Sequence, residues 1–333
     1  MIVLKCLGIK IVFVLLFFTT GLYMTKCPFF NICGGCKFDF SDEENYRKEK
    51  LKVLPKINFT DDAIWGVAGT RRRADFAFCD GHFGFFKQQS KDIVDINKCI
   101  NVCDEINQII PNVSRLKWDG AGSVLITKCE NGIDICVNSK VPYFGAEFRK
   151  DVEKLPPQII RFMWNDKIVR KYMEPEIKFN DKVITYTPNA FLQPSVETEQ
   201  ILRDLVVEYV ADETKVADLF CGLGNFTFIT KATGFDIVGN GIKRDLFKKP
   251  LSAKNLDQYN VVIMDPPRAG ALEQSKELAK SNVKRIIYVS CNPNTFVRDL
   301  SILEKGGYKM KVAIPVDQFV GANHWEIFSV LDK

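Results

Sequence analysis

The sequence lacks several patterns that define common classes of protein. Its glycine-rich turn, CGLGNF at residues 221–226, has no Walker lysine and does not complete a G-x-G-x-x-G motif. The chain has no internal repeat and no low-complexity linker, and the apolar run IVFVLLFF at residues 11–18 is too short for a comfortable membrane span. These absences weigh against a phosphate-cradling loop and against a chain organised around a membrane span.

The composition is that of an ordinary globular protein. Charged residues make up 26% of the chain and hydrophobic residues 46%, and 333 residues are enough for two domains with separate cores. The formal charge of +5 permits an RNA partner without demanding one. Residues 71–73, 243–244 and 248–249 are basic clusters that could contact phosphates, with a solvated surface as the alternative interpretation.

Cysteine is abundant, with eleven in the chain. Cys27, Cys33 and Cys36 lie in CPFFNICGGC with C-x5-C-x2-C spacing, which is typical of metal ligation in a reducing compartment. We therefore predict a cytoplasmic protein in which residues 24–58 form a cysteine arm. Either an iron–sulfur cluster or a zinc ion would need a fourth ligand. The candidates are Cys79, Cys99, Cys103, Cys129 and Cys136.

The first 23 residues resemble a short signal-peptide core, with lysines before the apolar run. A second methionine, Met24, precedes the first cysteine of the arm, and nothing downstream has the character of an exported protein. We interpret residues 1–23 as a hydrophobic extension or a mis-assigned start, with a membrane anchor as the alternative.

The two regions that follow the cysteine arm differ from each other in the pattern of their apolar runs. Residues 59–178 contain short apolar runs between turns, DFAF, SVLITK and IDICV, which predict an α+β domain with antiparallel strands. In residues 179–333, the runs VADLF, GFDIV, VVIMD and RIIYVS alternate with helical segments. This alternation predicts an α/β domain with a parallel, doubly wound sheet, closed by an antiparallel hairpin from the last two strands.

Reactive residues follow the predicted parallel strands. Asp218, Asp236, Asp265 and Cys291 each stand at the end of a strand, where ligands bind in such sheets. The turn DLFCGLGNF lets the backbone approach a ligand closely, and together with Asp236 it favours an adenosyl ligand. DPPRAG, at residues 265–270, is a rigid turn, and VSCNP, at residues 289–293, places a cysteine at the predicted pocket.

These motifs occur together in a known family. CPFFNICGGC, DIVDINKC, FLQPSVETE, DLFCGLGNFTF, DPPRAG, VSCNP and HWE appear in the order seen in bacterial RNA uracil-5 methyltransferases. The chain most resembles the 23S ribosomal RNA branch that carries an iron–sulfur cluster. The resemblance implies a class I methyltransferase fold, S-adenosylmethionine as cofactor, RNA as partner and a monomeric enzyme.

The resemblance also implies roles for individual residues. Cys291 would attack carbon 6 of uracil, which makes carbon 5 nucleophilic, and Glu326 would remove the carbon 5 proton. From the residues alone, His324 is the alternative base. A [4Fe-4S] cluster would be bound by Cys27, Cys33, Cys36 and Cys99. The residues implied to bind the cofactor are Gln193, Phe220, Asn225, Asp236, Asp245 and Asp265.

The chain departs from the family pattern in three respects. We expect no N-terminal β-barrel of the kind that some members carry, and we therefore expect the central domain and the cysteine arm to hold RNA. Ser195 stands where the family usually has Asn. Only 47 positions separate Asp218 from Asp265, which predicts that the helix normally found between Asp236 and the next strand is missing.

Three other functions compete with this interpretation. An amino methyltransferase also uses a short Asp-Pro-Pro turn, but an aromatic residue normally follows it, whereas Arg268 follows here. An iron–sulfur RNA-binding protein with a degenerate methyltransferase domain is the non-enzymatic alternative. A membrane-attached redox protein is suggested by residues 11–23 and by the cysteines. A tRNA rather than a ribosomal RNA substrate also stays open.

Overall fold

Two seven-stranded sheets organise the chain in a computed structural model that describes residues 26–142 and 145–333. The interpretation of residues 1–23 lies outside the described residues. Within the described part, no helix is both long enough and apolar enough to cross a membrane.

The cysteine arm leads into a short helix that packs on the rest of the protein. Helix α1 (Glu43–Leu51) begins at Asp42, whose side chain accepts a hydrogen bond from the backbone N–H of Asn45. Tyr46 and Lys50 form its buried face, and Lys50 makes a fully buried ion pair with Asp317. The arm is thereby attached to the C-terminal domain.

The central domain is built on the first sheet, with strand order β3-β2-β1-β4-β5-β6-β7. Its strands are β1 (Arg73–Cys79), β2 (His82–Phe86), β3 (Ile93–Asp95), β4 (Ala121–Cys129), β5 (Gly132–Ser139), β6 (Ile159–Trp164) and β7 (Lys167–Lys171). Its helices are α2 (Asp104–Val113) and α3 (Ala146–Glu153). The predicted antiparallel α+β domain is confirmed except at β5 and β6, which pair in parallel because the connection through α3 returns the chain in the same direction.

A small hairpin joins the two domains. Strands β8 (Glu176–Phe179) and β9 (Lys182–Thr185) form their own two-stranded sheet. The domain boundary predicted between residues 178 and 179 falls inside β8. Phe179 packs in one apolar cluster with Cys129 of the central sheet and Leu223 of the C-terminal domain, so the hairpin connects the two cores.

The C-terminal domain contains the second sheet, with strand order β12-β11-β10-β13-β14-β16-β15. Its strands are β10 (Val216–Leu219), β11 (Thr233–Asp236), β12 (Ile242–Lys243), β13 (Val261–Met264), β14 (Arg285–Ser290), β15 (Lys309–Val316) and β16 (Glu326–Asp332). Its helices are α4 (Val196–Val210), α5 (Asn225–Thr230), α6 (Ala253–Leu256), α7 (Leu272–Lys280) and α8 (Pro293–Lys305). The first five strands in this order run parallel, and β16 is antiparallel to both β14 and β15.

Strand direction brings the reactive residues to one edge of this sheet. Because β10, β11, β13 and β14 are parallel, the residues that end or follow them lie at a common edge. The antiparallel β16 starts at that same edge, where Ser290 pairs with Ile327. Cys291 and Glu326 are therefore adjacent across the β14–β16 pair.

The segment after Asp236 is short, as the spacing predicted. Residues 237–252 contain the two-residue strand β12 and no helix, and α6 has only four residues. The missing helix leaves Ile237, Val238 and Ile242 exposed at this end of the sheet.

Candidate active site

A cavity of about 990 Å³ lies at the carboxyl ends of the parallel strands. Its volume is at the upper end for a small-molecule site, and residues from both domains line it. The eight residues predicted for catalysis and cofactor binding all line this one cavity; they are Gln193, Phe220, Asn225, Asp236, Asp245, Asp265, Cys291 and Glu326.

The glycine-rich turn forms one wall and is held in an unusual backbone conformation. Gly222 and Gly224 have φ of 51° and 95°, a region that glycine adopts without steric cost. Phe220 has φ of 63°, which is strained for a bulky residue and typical of functional sites. The backbone N–H of Gly222 donates to Asp236 Oδ2 at 2.8 Å, so Asp236 stabilises the turn.

Two polar side chains, one at each end of this turn, have atoms without partners in the described structure. Asn225 Oδ1 accepts a hydrogen bond from Arg203 at 3.2 Å, whereas its Nδ2 has no partner in the described structure. Asp218 Oδ2 accepts from Thr227 at 2.6 Å, and burial raises the pKa of Asp218 to about 7. An unpaired buried donor is costly, so Asn225 Nδ2 is suited to bind an acceptor group of a ligand.

The DPPRAG turn forms the opposite wall. Gln193 Nε2 donates to Asp265 Oδ2 at 3.1 Å. Burial raises the pKa of Asp265, and the nearby Asp218 raises it further. Asn292 Nδ2 donates to the carbonyl oxygen of Arg268 at 2.8 Å. The loop that carries Asp265 is thereby linked to the loop that carries Cys291.

Cys291 lies between β14 and α8 and is half-buried. Burial raises the pKa of its thiol to about 12; Glu326 and Asp265 add to this, and Arg268 opposes it. In the protein without ligands the thiol is therefore protonated at neutral pH. A cation in the cavity would favour the thiolate, because an opposite charge nearby stabilises the ionised form.

Glu326 and His324 line the same cavity as Cys291, and their environments differ. Burial and the neighbouring Asp265 raise the pKa of Glu326 well above its ordinary value. His324 Nε2 is 2.7 Å from a guanidinium nitrogen of Arg268. Because a guanidinium only donates, this imidazole lone pair is already engaged. Glu326 Oε1 has no partner in the described structure and is available to accept a proton.

The raised pKa of Cys291 predicts how its reactivity depends on pH. Without ligands, we expect alkylation of Cys291 by iodoacetamide to rise about tenfold per pH unit from about pH 7 to 10, because only the thiolate reacts. Peptide mass spectrometry measures the rate. A free thiol, with a pKa of about 8.5, is the reference and levels off above that value. A Cys291 rate that levels off below about pH 9 would contradict the prediction.

A second cavity, of about 270 Å³, is lined by all four cysteines implied to bind a cluster. Cys27, Cys33 and Cys36 come from the arm, and Cys99 comes from the loop between β3 and α2. Burial and the three other cysteines raise the pKa of Cys36 to about 12. Across residues 26–142 and 145–333, no three His, Cys, Asp or Glu side chains are grouped so as to hold a metal ion as they stand.

Backbone hydrogen bonds hold this second cavity between the two domains. The N–H of Gly34 donates to the carbonyl oxygen of Phe86 in β2 at 2.7 Å. The N–H of Lys37 donates to the carbonyl oxygen of Gly321, in the loop before β16, at 2.6 Å. The arm therefore contacts the central sheet on one side and the loop preceding Glu326 on the other.

The structure corrects one of the predicted phosphate-binding residues. Arg72 is buried, neither solvated nor available to RNA, and its guanidinium donates to Glu199 of α4 at 2.7 Å. Arg73 is half-buried, and its guanidinium donates to the carbonyl oxygen of Ala190 at 2.7 Å and lies 5.9 Å from the Phe191 ring. Arg244 donates to the carbonyl oxygens of Lys249 and Pro250, so its guanidinium is partly engaged.

Two polar residues of the site were not predicted from the sequence. Glu199 lines the large cavity and is held by Arg72 and Arg203. Gln318 is buried and hydrogen-bonded to both Gln193 and Glu326. Neither stands at the end of a parallel strand, which was the signal that identified the aspartates and Cys291.

Comparisons with known proteins agree with this geometry. A family model of tRNA (uracil-5-)-methyltransferases matches residues 240–333. A Brucella melitensis protein named as an RNA methyltransferase is 34% identical over 348 residues, covering 92% of this chain and 84% of that protein. The 23S rRNA (uracil(1939)-C(5))-methyltransferase RlmD of Shewanella halifaxensis is 27% identical, covering 92% of this chain and 81% of that protein.

A solved structure shares the fold. The tRNA (uracil-54, C5)-methyltransferase of Pyrococcus abyssi, in complex with S-adenosyl-L-homocysteine, superposes with a TM-score of 0.64 at 20% identity, covering 86% of this chain and 82% of that one. The predicted α/β methyltransferase fold is confirmed. The alignment with the Brucella relative, at 34% identity, covers 92% of this chain. The chain therefore belongs to the RNA (uracil-5-)-methyltransferase family.

Proposed function

We propose that this protein methylates carbon 5 of a uridine in 23S ribosomal RNA, with S-adenosylmethionine as the methyl donor. The observation that carries the proposal is the position of Cys291 and Glu326, adjacent across the β14–β16 pair and lining one cavity. A nucleophile and a base at the same cavity are what carbon 5 methylation of uracil requires. The Shewanella relative supports ribosomal RNA as the substrate class.

The chemistry assigned to the two residues follows from the electronic structure of uracil. The Cys291 thiolate bonds to carbon 6, which makes carbon 5 nucleophilic. After carbon 5 has gained the methyl group, Glu326 removes its proton, the carbon 5–carbon 6 double bond re-forms, and the thiolate leaves. A uridine within folded RNA would be flipped out of its stack to reach Cys291.

The residues that line the cavity fit S-adenosylmethionine. Asn225 Nδ2 is a buried donor without a partner and suits the carboxylate of the cofactor. Phe220 and Phe247 have ring centroids 5.4 Å apart and present an apolar surface for the adenine, while Asp236 and Asp245 are near enough for ribose hydroxyls or the amino group. When bound, S-adenosylmethionine supplies an electrophilic methyl group and a positive charge.

A bound cation would lower the raised pKa values of the acidic groups at the site. Burial raises the pKa values of Cys291, Asp265 and Glu326, and neighbouring carboxylates raise each of them further. A positive charge in the cavity favours the ionised forms of all three groups. We infer that Cys291 becomes reactive only when the cofactor site is filled.

Methyl transfer to RNA tests the proposed function. Unmodified 23S rRNA and tRNA, both carrying tritium at carbon 5 of uridine, are incubated with the protein and S-adenosylmethionine. We expect methylation of 23S rRNA with one tritium released for each methyl group gained. Methylation of tRNA alone would reassign the substrate. Methyl incorporation without tritium release would exclude carbon 5, and no methylation of either RNA would favour a degenerate methyltransferase domain.

We also propose that Cys27, Cys33, Cys36 and Cys99 bind a [4Fe-4S] cluster. The four thiols line one cavity of about 270 Å³, and closely spaced cysteine thiolates are the usual ligands of such clusters. The N–H of Gly35 donates to Cys33 Sγ at 3.3 Å, a contact that favours a bound thiolate. A cluster there would join the arm to the loop before α2.

Replacing one thiol tests the cluster. We expect Cys99→Ala to lose iron, acid-labile sulfide and visible absorbance when the protein is purified without oxygen. Cys79→Ala is the matched control, because Cys79 is a partly exposed thiol on β1 outside the cavity, and it should keep all three. Circular dichroism and RNA filter binding then show whether the loss affects folding or only RNA binding. One zinc and no iron in the wild-type protein would contradict the cluster.

A further inference from the structure

Gln318 contacts two polar residues that line the large cavity, Gln193 and Glu326. Its side chain is 3% exposed. Its Nε2 donates to Gln193 Oε1 at 2.5 Å and to Glu326 Oε2 at 3.2 Å. An amide nitrogen carries two hydrogens, so each of them is directed to one of these acceptors.

These hydrogen bonds determine which oxygen of Glu326 is free. Glu326 is 2% exposed and lines the large cavity with Cys291. Its Oε2 accepts from Gln318, and its Oε1 has no partner in the described structure. A donor on one oxygen stabilises the carboxylate and prevents rotation that would exchange the two oxygens. Glu326 Oε1 is therefore the oxygen left for a proton from the substrate.

The same amide also orients Gln193. Because Gln318 Nε2 can only donate, Gln193 must turn its oxygen towards Gln318. The nitrogen of Gln193 then points to Asp265, to whose Oδ2 it donates at 3.1 Å. Gln318 thus acts on Glu326 directly and on Asp265 through Gln193.

The backbone next to Gln318 is fixed by the cysteine arm. Asp317 is fully buried and accepts a hydrogen bond from Tyr46 at 2.6 Å. It also forms the ion pair with Lys50, whose ammonium lies 5.1 Å from the ring centroid of Trp325. The N–H of Asp317 donates to the carbonyl oxygen of Ile64 at 2.7 Å. These contacts leave Gln318 little freedom to move away from Glu326.

We propose that Gln318 is a positioning residue for the last chemical step, removal of the carbon 5 proton; this rests on the proposed function. In that step the carbon 5–hydrogen bond breaks and the proton goes to Glu326 Oε1. The electron pair forms the carbon 5–carbon 6 double bond, and the sulfur of Cys291 leaves carbon 6 as a thiolate. Attack on carbon 6 and methylation come earlier and do not use Glu326 Oε1 as a proton acceptor.

The test is whether the covalent intermediate accumulates when Gln318 cannot donate. Gln318→Met keeps the length of the side chain and removes both hydrogens. With ordinary 23S rRNA and S-adenosylmethionine, we expect the variant to accumulate a covalent protein–RNA complex on denaturing gels. Turnover should fall about 10- to 100-fold, as for loss of the outer residues that orient a metal ligand, with little change in KM for the RNA.

Gln274→Met is the matched control. Gln274 is equally buried, and its side chain hydrogen-bonds the backbone of Leu251, away from the cavity. A loss of stability alone would lower turnover in both variants. Accumulation of the covalent complex should occur only with Gln318→Met.

The outcomes separate this inference from the proposed function. Trapping of the wild-type protein by 5-fluorouridine-substituted RNA tests the proposed function without involving proton removal. If wild type is trapped and Gln318→Met turns over without accumulation, the role of Gln318 is overturned. The same holds if folded Gln318→Met cannot be trapped, since Gln318 would then act before proton removal. If wild type itself is not trapped, the proposed function fails.

Discussion

Cys291→Ala is expected to abolish both methyl transfer and covalent trapping by 5-fluorouridine-substituted RNA. Cys291 is the cysteine at the end of β14, beside Glu326 and Asp265 in the large cavity. Without its sulfur, carbon 6 gains no bond and carbon 5 stays a poor nucleophile. Removal of a catalytic nucleophile lowers the rate by about 10³-fold or more, so turnover should fall below detection.

A denaturing gel with labelled RNA measures this effect. Fluorine at carbon 5 cannot leave as a proton does, so the wild-type protein and its RNA should stay joined. Cys136→Ala is the matched control, because Cys136 is a buried thiol whose pKa burial also raises to about 12, but it lies in the central sheet. The control should be trapped like wild type. A trapped Cys291→Ala protein would show that another residue is the nucleophile.

Glu326→Gln is expected to stop the reaction after methylation. The substitution preserves shape but removes the oxygen that accepts the carbon 5 proton. Loss of a general base lowers turnover by about 10²- to 10⁴-fold. Because the bond between Cys291 and carbon 6 breaks only when that proton leaves, the covalent complex should accumulate on ordinary RNA, without fluorine.

Two companion variants test whether the effect is specific to Glu326. Glu304→Gln changes an exposed glutamate on α8 and should leave turnover at the wild-type level. His324→Gln tests the other candidate base, whose Nε2 faces Arg268. Accumulation with His324→Gln but not with Glu326→Gln would assign proton removal to the imidazole.

The sequence was most informative about residues whose positions depend only on the order of the elements and the direction of the strands. Asp265 and Cys291 follow apolar runs, and parallel strands carry such residues to one edge whatever else the chain does. The closing hairpin extends this reasoning to Glu326, since an antiparallel last strand must start at the edge where β14 ends. The position of the large cavity, and of Cys291 in its wall, could therefore be predicted from the sequence.

Pairs that are far apart in the chain could not be predicted in this way. Lys50 and Asp317 are separated by 267 positions, and Arg72 and Glu199 by 127. A lysine or an arginine in a polar stretch normally remains in solvent, and only the packing of two domains around it reveals a buried partner. For this reason Arg72 was wrongly predicted to face solvent or RNA.

By itself, the sequence determined the order of the elements, the residues at the ends of the parallel strands and the three cysteines of the arm. The tertiary structure decided that Cys99 shares a cavity with those three and that Gln318 connects Glu326 to Gln193. The physical reason is that periodicity and strand order are local properties of the chain. Which side chains share a buried volume depends on how the arm, the central sheet and the C-terminal sheet pack together.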